Sequence, residues 1–404
     1  MLRILHLLDP HDGIEPMLAC RAAMSIGEAS HALWLVTDSA GERVAADFGL
    51  TTSDRVGTIL GRAESAGRGM RSVLEHRTDD LGEPTPDLVQ CWSVRMLGAA
   101  RAAFGKRIIP RCGVLVRPPS SATLRRAEAA RFSKTPEERA LDDTTLLTLD
   151  MTSREQWAPM ASAGRGAMRM RDNIRLAPAP PLPPTECAAG SPSRAAIREA
   201  LGLDDRDIAV VLLADPPEAG DAMRFTFQVG LQHVGGVRIT GIVPRGAAHS
   251  RRGARFVAGH GRRWGMIDSA RSLEQVLIGA DIAVWDVADS GEVSSGPALL
   301  AACIAAGVPV AAAPHEISLG ALAAIPECLA RDGSTRAVAS RMFDFARDAS
   351  VRATVSRRML DHAAELRERD GFRRTLLALW RERANVSIIR PGLPVPAALT
   401  GAPS

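Results

Sequence analysis

Short apolar runs alternate along this chain with stretches in which apolar positions recur at helical spacing. Arg3 to Leu8 is an apolar run closed by the turn-rich Asp9-Pro10-His11-Asp12-Gly13; a helical pattern from Glu15 to Ile26 and a second run from Ala32 to Thr37 follow. Strand, loop, helix, strand is the opening of a doubly wound α/β unit. The alternation continues with a run from Asp87 to Trp92, a helix from Val94 to Phe104, a run from Arg107 to Ile109 and a strand from Thr144 to Leu149. A charged stretch from Ala122 to Ala140 predicts a solvated helix, and residues 43–83 carry too little periodicity to predict any element.

Leu176 to Ser193, LAPAPPLPPTECAAGSPS, breaks the pattern. Proline at that density cannot continue a helix or sit in a central strand, so the segment predicts a stiff interdomain linker. Beyond it the alternation restarts: helix Arg194–Leu201, strand Ile208–Ala214, helix Ala222–Val234, strand Val237–Val243, helix Leu273–Ile278, strand Asp281–Trp285, helix Ala298–Ala306 and strand Val308–Ala312. Strands separated by helices predict a parallel sheet. Residues 334–383 are almost wholly helical in pattern, and a Pro/Gly-rich tail ends the chain. The expected organisation is a first Rossmann-like domain over 1–176, a linker over 177–193, a second Rossmann-like domain over 194–365, a helix over 366–387 returning to the first domain, and a tail over 388–404.

Composition narrows the classes. The 404 residues are 46% hydrophobic and 24% charged with a net charge of +4, the balance of a globular protein, with no electrostatic case for nucleic acid. Lys106 and Lys134 are the two lysines among 50 basic residues, so a phosphate held by a side chain in the second half must be held by arginine. Cys20, Cys91, Cys112, Cys187, Cys303 and Cys328 are scattered through apolar runs with no zinc spacing, which predicts reduced, buried thiols and no metal. The amino terminus lacks a signal h-region and no window reaches the length of a membrane span, so the expected location is cytoplasmic. No G-x-G-x-x-G follows a strand, and neither a G-x-S-x-G elbow nor a P-loop is present.

In order and spacing the motifs resemble those of the retaining, nucleotide-sugar-dependent GT-B glycosyltransferases called family four. Asp12-Gly13-Ile14-Glu15 resembles the family's Gly-Gly-x-Glu opening, DLVQCWS from Asp87 its Asp-Val-Val-His-x-His strand, and SRAAIREALGL from Ser193 the first helix of its donor domain. GADIAVWD from Gly279 and AAGVPVAA from Ala305 resemble the strand before the donor site and the exit from it, and the helices from Arg347 resemble the family's closing helices. The resemblance implies two Rossmann-like domains facing each other across a cleft. It implies metal-independent hexosyl transfer from a nucleoside-diphosphate sugar to a glycan or small acceptor, with no cofactor.

The family's charged donor residues are missing. Ser294 and Ala302 stand where the resemblance places two glutamates, Asp215 and Ala219 where it places an arginine and a lysine, and Cys112 where it places a histidine. An acid beside a departing diphosphate is repulsive. The alternative function is therefore a catalytically inactive homologue that binds a glycan or nucleotide, or serves as scaffold for an active glycosyltransferase partner.

Replacement candidates are few. Glu292 could reach the sugar or ribose if its loop shifts, or is simply a solvated glutamate. Ser294, Ser295 and Gly296 precede a helix and could hold an anion on its free amides, or could merely cap it. Arg224 and Arg245 follow strand ends and could take over the diphosphate; ordinary surface charge is the competing assignment. His11 could serve an acceptor hydroxyl, with Asp12 and Gly13 beside it in the acceptor-side loop, although turn chemistry accounts for the same residues. His315 and Glu316 also line the expected cleft, and Trp92 and Trp285 could stack on a base or sugar or pack in the core.

Overall fold

The computed structural model describes residues 1–37, 39–50, 54–56, 85–104, 109–116, 144–162, 174–180, 193–215, 219–232, 237–244, 266–269, 273–287 and 295–388. Seven strands form the first sheet: β1 (Leu2–Leu8), β2 (Ala29–Val36), β3 (Asp54–Val56), β4 (Leu88–Cys91), β5 (Arg111–Leu115), β6 (Thr145–Thr148) and β7 (Ile174–Leu176). Their order is β3-β2-β1-β4-β5-β6-β7. The second sheet holds β8 (Ile208–Leu212), β9 (Ile239–Pro244), β10 (Met266–Ser269), β11 (Ile282–Trp285) and β12 (Val310–Ala312), in the order β10-β9-β8-β11-β12. Every pairing is parallel. Both orders reverse direction beside their first strand, so each sheet has a switch point where α/β proteins hold ligands outside the carboxyl ends.

Among the described residues, the helices of the first half are α1 (Ile14–Met24), α2 (Ser39–Asp47), α3 (Val94–Phe104) and α4 (Met151–Ser162). Those of the second half are α5 (Arg194–Ala200), α6 (Ala219–Gln232), α7 (Leu273–Gly279), α8 (Pro297–Ala306), α9 (Glu316–Ala321), α10 (Thr335–Arg347), α11 (Ala349–Arg369) and α12 (Gly371–Ile388). Period-two alternation divides β1 between two apolar clusters: Leu5 and Leu7 pack with Val89, Cys91 and Met96 on one face, Ile4 and Leu8 with α1 on the other.

The return of the last helix to the first domain is made by side chains. Trp380 of α12 is fully buried and donates its indole N–H to Gln90 of β4 at 3.0 Å. Arg175 pairs with Glu382 at 2.7 Å, and Arg373 pairs with Glu28.

Strands β3, β7 and β10 are ones the sequence pattern did not mark, and β5 lies beyond the run that it did mark. Of the run expected at Arg107–Ile109, residues 107 and 108 lie outside the described residues, and a strand forms over Arg111–Leu115, just beyond Pro110, whose missing N–H cannot join a ladder. Strand β10 joins the second sheet from a region where only four residues, MIDS, carry it. The charged stretch 122–140 and most of the proline-rich segment lie outside the described residues. Cys20, Cys91, Cys112, Cys303 and Cys328 are free and buried, while Cys187 lies outside the described residues. Burial pushes the Cys112 thiol up to about 12 and Cys328 up to about 11, so neither is a thiolate at neutral pH. Among the described residues, no helix is long and apolar enough to cross a membrane and no cluster of metal-ligating side chains forms.

Candidate functional site

Helix α8 is PALLAACIAA, and nine of its ten residues are buried, which explains why it carries no charge: no face of it meets water. Pro297 opens the helix, and Gly307 closes it in the left-handed region at φ 65°, its position directly against Leu360 of α11. The N-cap is Gly296, which has no side chain to accept the free amides of the first turn. Helix α1 begins the same way. Its N-cap is Gly13, at φ 123°, again with no side-chain cap of its own.

Both ends are capped from the opposite domain. The Glu15 carboxylate accepts from the Gly296 amide at 2.8 and 2.9 Å and from the Leu299 amide at 3.2 Å. Asp215, just beyond β8, accepts from the Glu15 amide at 2.8 Å. Glu15 and Asp215 are 0% and 1% exposed. Each carboxylate thus lies at the positive end of a helix, in the position a bound anion would otherwise take. The approach is close: a Cβ on Gly13 would lie 2.6 Å from Asp215 Oδ2, and one on Gly296 would lie 2.4 Å from the carbonyl oxygen of Val116.

Several residues singled out by the sequence border this contact. Ser295 is buried and its hydroxyl donates to the Leu213 carbonyl at 3.2 Å, while the Gly296 amide serves Glu15. Asp12 accepts from Ser93 at 2.6 Å and lies 3.8 Å from Arg95, which also pairs with Asp9; the His11 amide donates to Asp9 at 2.8 Å. The loop Pro10–Gly13 is therefore held by β4's exit and α3. Arg224 lies between Asp221 at 2.7 Å and Asp286 at 3.6 Å, with Gln228 donating to Asp286 at 2.8 Å. Burial raises the Asp286 carboxyl, against the amide of Val287, the charge of Arg224 and the Gln228 hydrogen bond. Arg245, Glu292 and Ser294 lie outside the described residues.

His315 caps α9 by accepting from the Ile317 amide at 3.3 Å through Nδ1, which leaves its proton on Nε2. Burial lowers its imidazole, against the charges of Glu316 and of Asp150, which comes from the first domain. Trp285 packs beside it, ring centroids 5.9 Å apart, and is fully buried. Trp92 is a core residue whose indole N–H reaches His6 at 3.3 Å.

The sequence pattern placed Glu15 in a motif and Asp215 in a vacated basic position without finding what they do. Their signal was indirect: two helices that each start on glycine, and two acids set in apolar surroundings.

No protein family recognisable by sequence matches the chain, and no curated protein does. Solved structures do. HepE from Anabaena, solved with UDP-glucose, superposes with a TM-score of 0.64 at 13% identity, covering 96% of this chain and 100% of that one. Sucrose-phosphate synthase from Thermosynechococcus elongatus gives 0.60 at 12% identity over 95% and 99% of the two chains. UDP-GlcNAc 2-epimerase from Neisseria meningitidis, bound to UDP-GlcNAc, gives 0.53 at 11% identity over 91% and 99%. Two parallel sheets, with closing helices that return to the first, give this chain the GT-B fold of the glycosyltransferases.

Proposed function

We propose that this chain is a glycosyltransferase-like protein of the nucleotide-sugar type whose donor position is filled by its own carboxylates, so that it acts by binding a glycan or an active glycosyltransferase rather than by transferring hexose. The observation that carries this reading is the Glu15 carboxylate on the Gly296 and Leu299 amides. A donor diphosphate would have to displace it. The same reading fits the missing cations, since Asp215 occupies the place where the family resemblance puts an arginine and is committed to α1. Loss of one preorganised charge contact costs several kcal/mol in a transition state, and here two carboxylates and two cations are replaced.

The second reading is hexosyl transfer from a nucleoside-diphosphate sugar. It is favoured by the Pro297-to-Gly307 frame of α8 and by structural neighbours that hold UDP-glucose or UDP-GlcNAc. Titration of the protein with UDP-, GDP- and ADP-sugars separates the two, because a ligand of the folded state alone raises Tm. The closed-cleft reading expects no rise with any donor at saturating concentration. A saturable rise with one of them, accompanied by sugar transfer or donor hydrolysis, would establish the second reading instead.

A further inference from the structure

We infer that Glu15 and Asp215 form a two-armed latch that holds the domains closed without any ligand. This rests on the reading of the cleft as filled by the chain's own carboxylates. One arm runs from Asp215, at the end of β8, to the Glu15 amide in the first domain; the other returns from the Glu15 side chain to the Gly296 and Leu299 amides in the second. Glu15 is therefore donor in one arm and acceptor in the other. By holding the main chain at Glu15, Asp215 sets the point from which the side chain reaches α8.

Electrostatics couples the arms further. Helices α1 and α8 both turn their positive ends to this interface, and neither has a cap of its own. Without the two acids, the amides that they cap would lose these acceptors while both positive helix ends still faced the interface, an arrangement that favours hydration and separation of the domains. The glycines complete the device, because a Cβ at Gly13 or Gly296 would stand in the way of Asp215 or Val116.

The other hydrogen-bonded or ion-paired side chains described between the two halves of the chain seat α12 on the first domain, and one of them, the Trp380–Gln90 hydrogen bond, is buried. Arg175–Glu382 and Arg373–Glu28, which seat α12, have side chains 36% to 49% exposed and contribute little in water. Away from α12, closure at the α1–α8 interface depends on the buried latch. An anion arriving at α8 must evict Glu15, and so opens this interface where an ordinary two-domain site closes on its ligand.

Hydrogen exchange on the full-length protein tests the latch directly. In the wild type without ligand, the Gly296 and Leu299 amides are expected to be protected; in Glu15→Gln and Asp215→Asn they exchange faster by roughly tenfold or more, the consequence of losing a charge-assisted hydrogen bond. Small-angle scattering should show a compact wild type and a larger radius of gyration for Glu15→Ala. Wild-type amides that exchange as fast as free helix-terminal amides overturn the latch, and that measurement needs no variant. So does a folded Asp215→Asn protein with unchanged protection and unchanged radius. Donor binding by a wild type that stays latched would overturn the proposed function instead, leaving the latch intact.

Discussion

The carboxylate of Glu15 and the amide of Gly296 are 281 positions apart in the chain and 2.8 Å apart in space. The contact requires glycine on both sides of the interface, and the demand differs from that of an ordinary turn. Gly13 has a positive φ and a carboxylate where a Cβ would go; Gly49 has a positive φ of 71° and nothing within 4 Å. Gly49→Ala should therefore cost only the backbone term, about 1 kcal/mol, whereas Gly13→Ala and Gly296→Ala should each cost about 2 kcal/mol or more. Urea denaturation of the three variants ranks them, and equal losses at Gly13 and Gly49 would remove the interface contribution.

Arg224 is held by two acids that are less than a tenth exposed. Arg224→Met should destabilise the fold by about 3–5 kcal/mol, the usual result of leaving a buried charge without its partner. If the guanidinium instead served a diphosphate, the variant would fold normally and lose ligand affinity alone.

The pH dependence of the same cluster follows from Asp286, whose carboxyl is raised by burial. The folded state keeps a proton that the unfolded chain has released, so this residue's contribution is greatest in acid and falls as pH rises from about 4 through the raised value. Removing Arg224 removes one of the opposing effects. Denaturation curves for Arg224→Met should therefore weaken more steeply between acid and neutral pH than those of the wild type.

How far the sequence reached depends on the range of the interactions involved. Helix α8 was legible because its signals are local: Pro297 at its first position, Gly307 at its end and an apolar run between them. The parallel strands β1, β4, β8 and β11 were legible because burial on both faces leaves continuous apolar runs. Strand β10 was not, since MIDS has too few residues to show a period and takes its place only by pairing with β9. The roles of Glu15 and Asp215 were hidden for another reason: each caps a helix that belongs to the other domain, 200 or more positions away in the chain. Arg224 illustrates the same limit, because its position after Gly220 gave no sign of Asp286 just beyond β11.

A second buried polar network makes the seating of α12 sensitive to pH. Trp92 donates to His6 Nδ1 at 3.3 Å, His6 Nε2 lies 2.8 Å from His31 Nδ1, and His31 Nε2 lies 2.9 Å from the Ile26 carbonyl. One set of protons satisfies all three contacts: both imidazoles neutral, with the proton on Nε2 in each. Trp380 of α12 packs edge-on against both rings, 6.1 and 5.7 Å between centroids. Burial lowers both histidines, and at His6 the neighbouring His31 lowers it further. The unfolded chain therefore takes up protons near pH 6.5 that the folded state still refuses, so stability is fully present above that pH and is lost as pH falls from there toward the lowered values. Protonated His31 would also turn an N–H toward the N–H of His6. Urea denaturation from pH 8 to pH 5 should show this loss, His31→Asn should flatten it, and Trp380→Ala should cost about 3–5 kcal/mol at neutral pH by emptying the site that both rings face. A His31→Asn profile as steep as the wild type would assign the acid sensitivity to other groups.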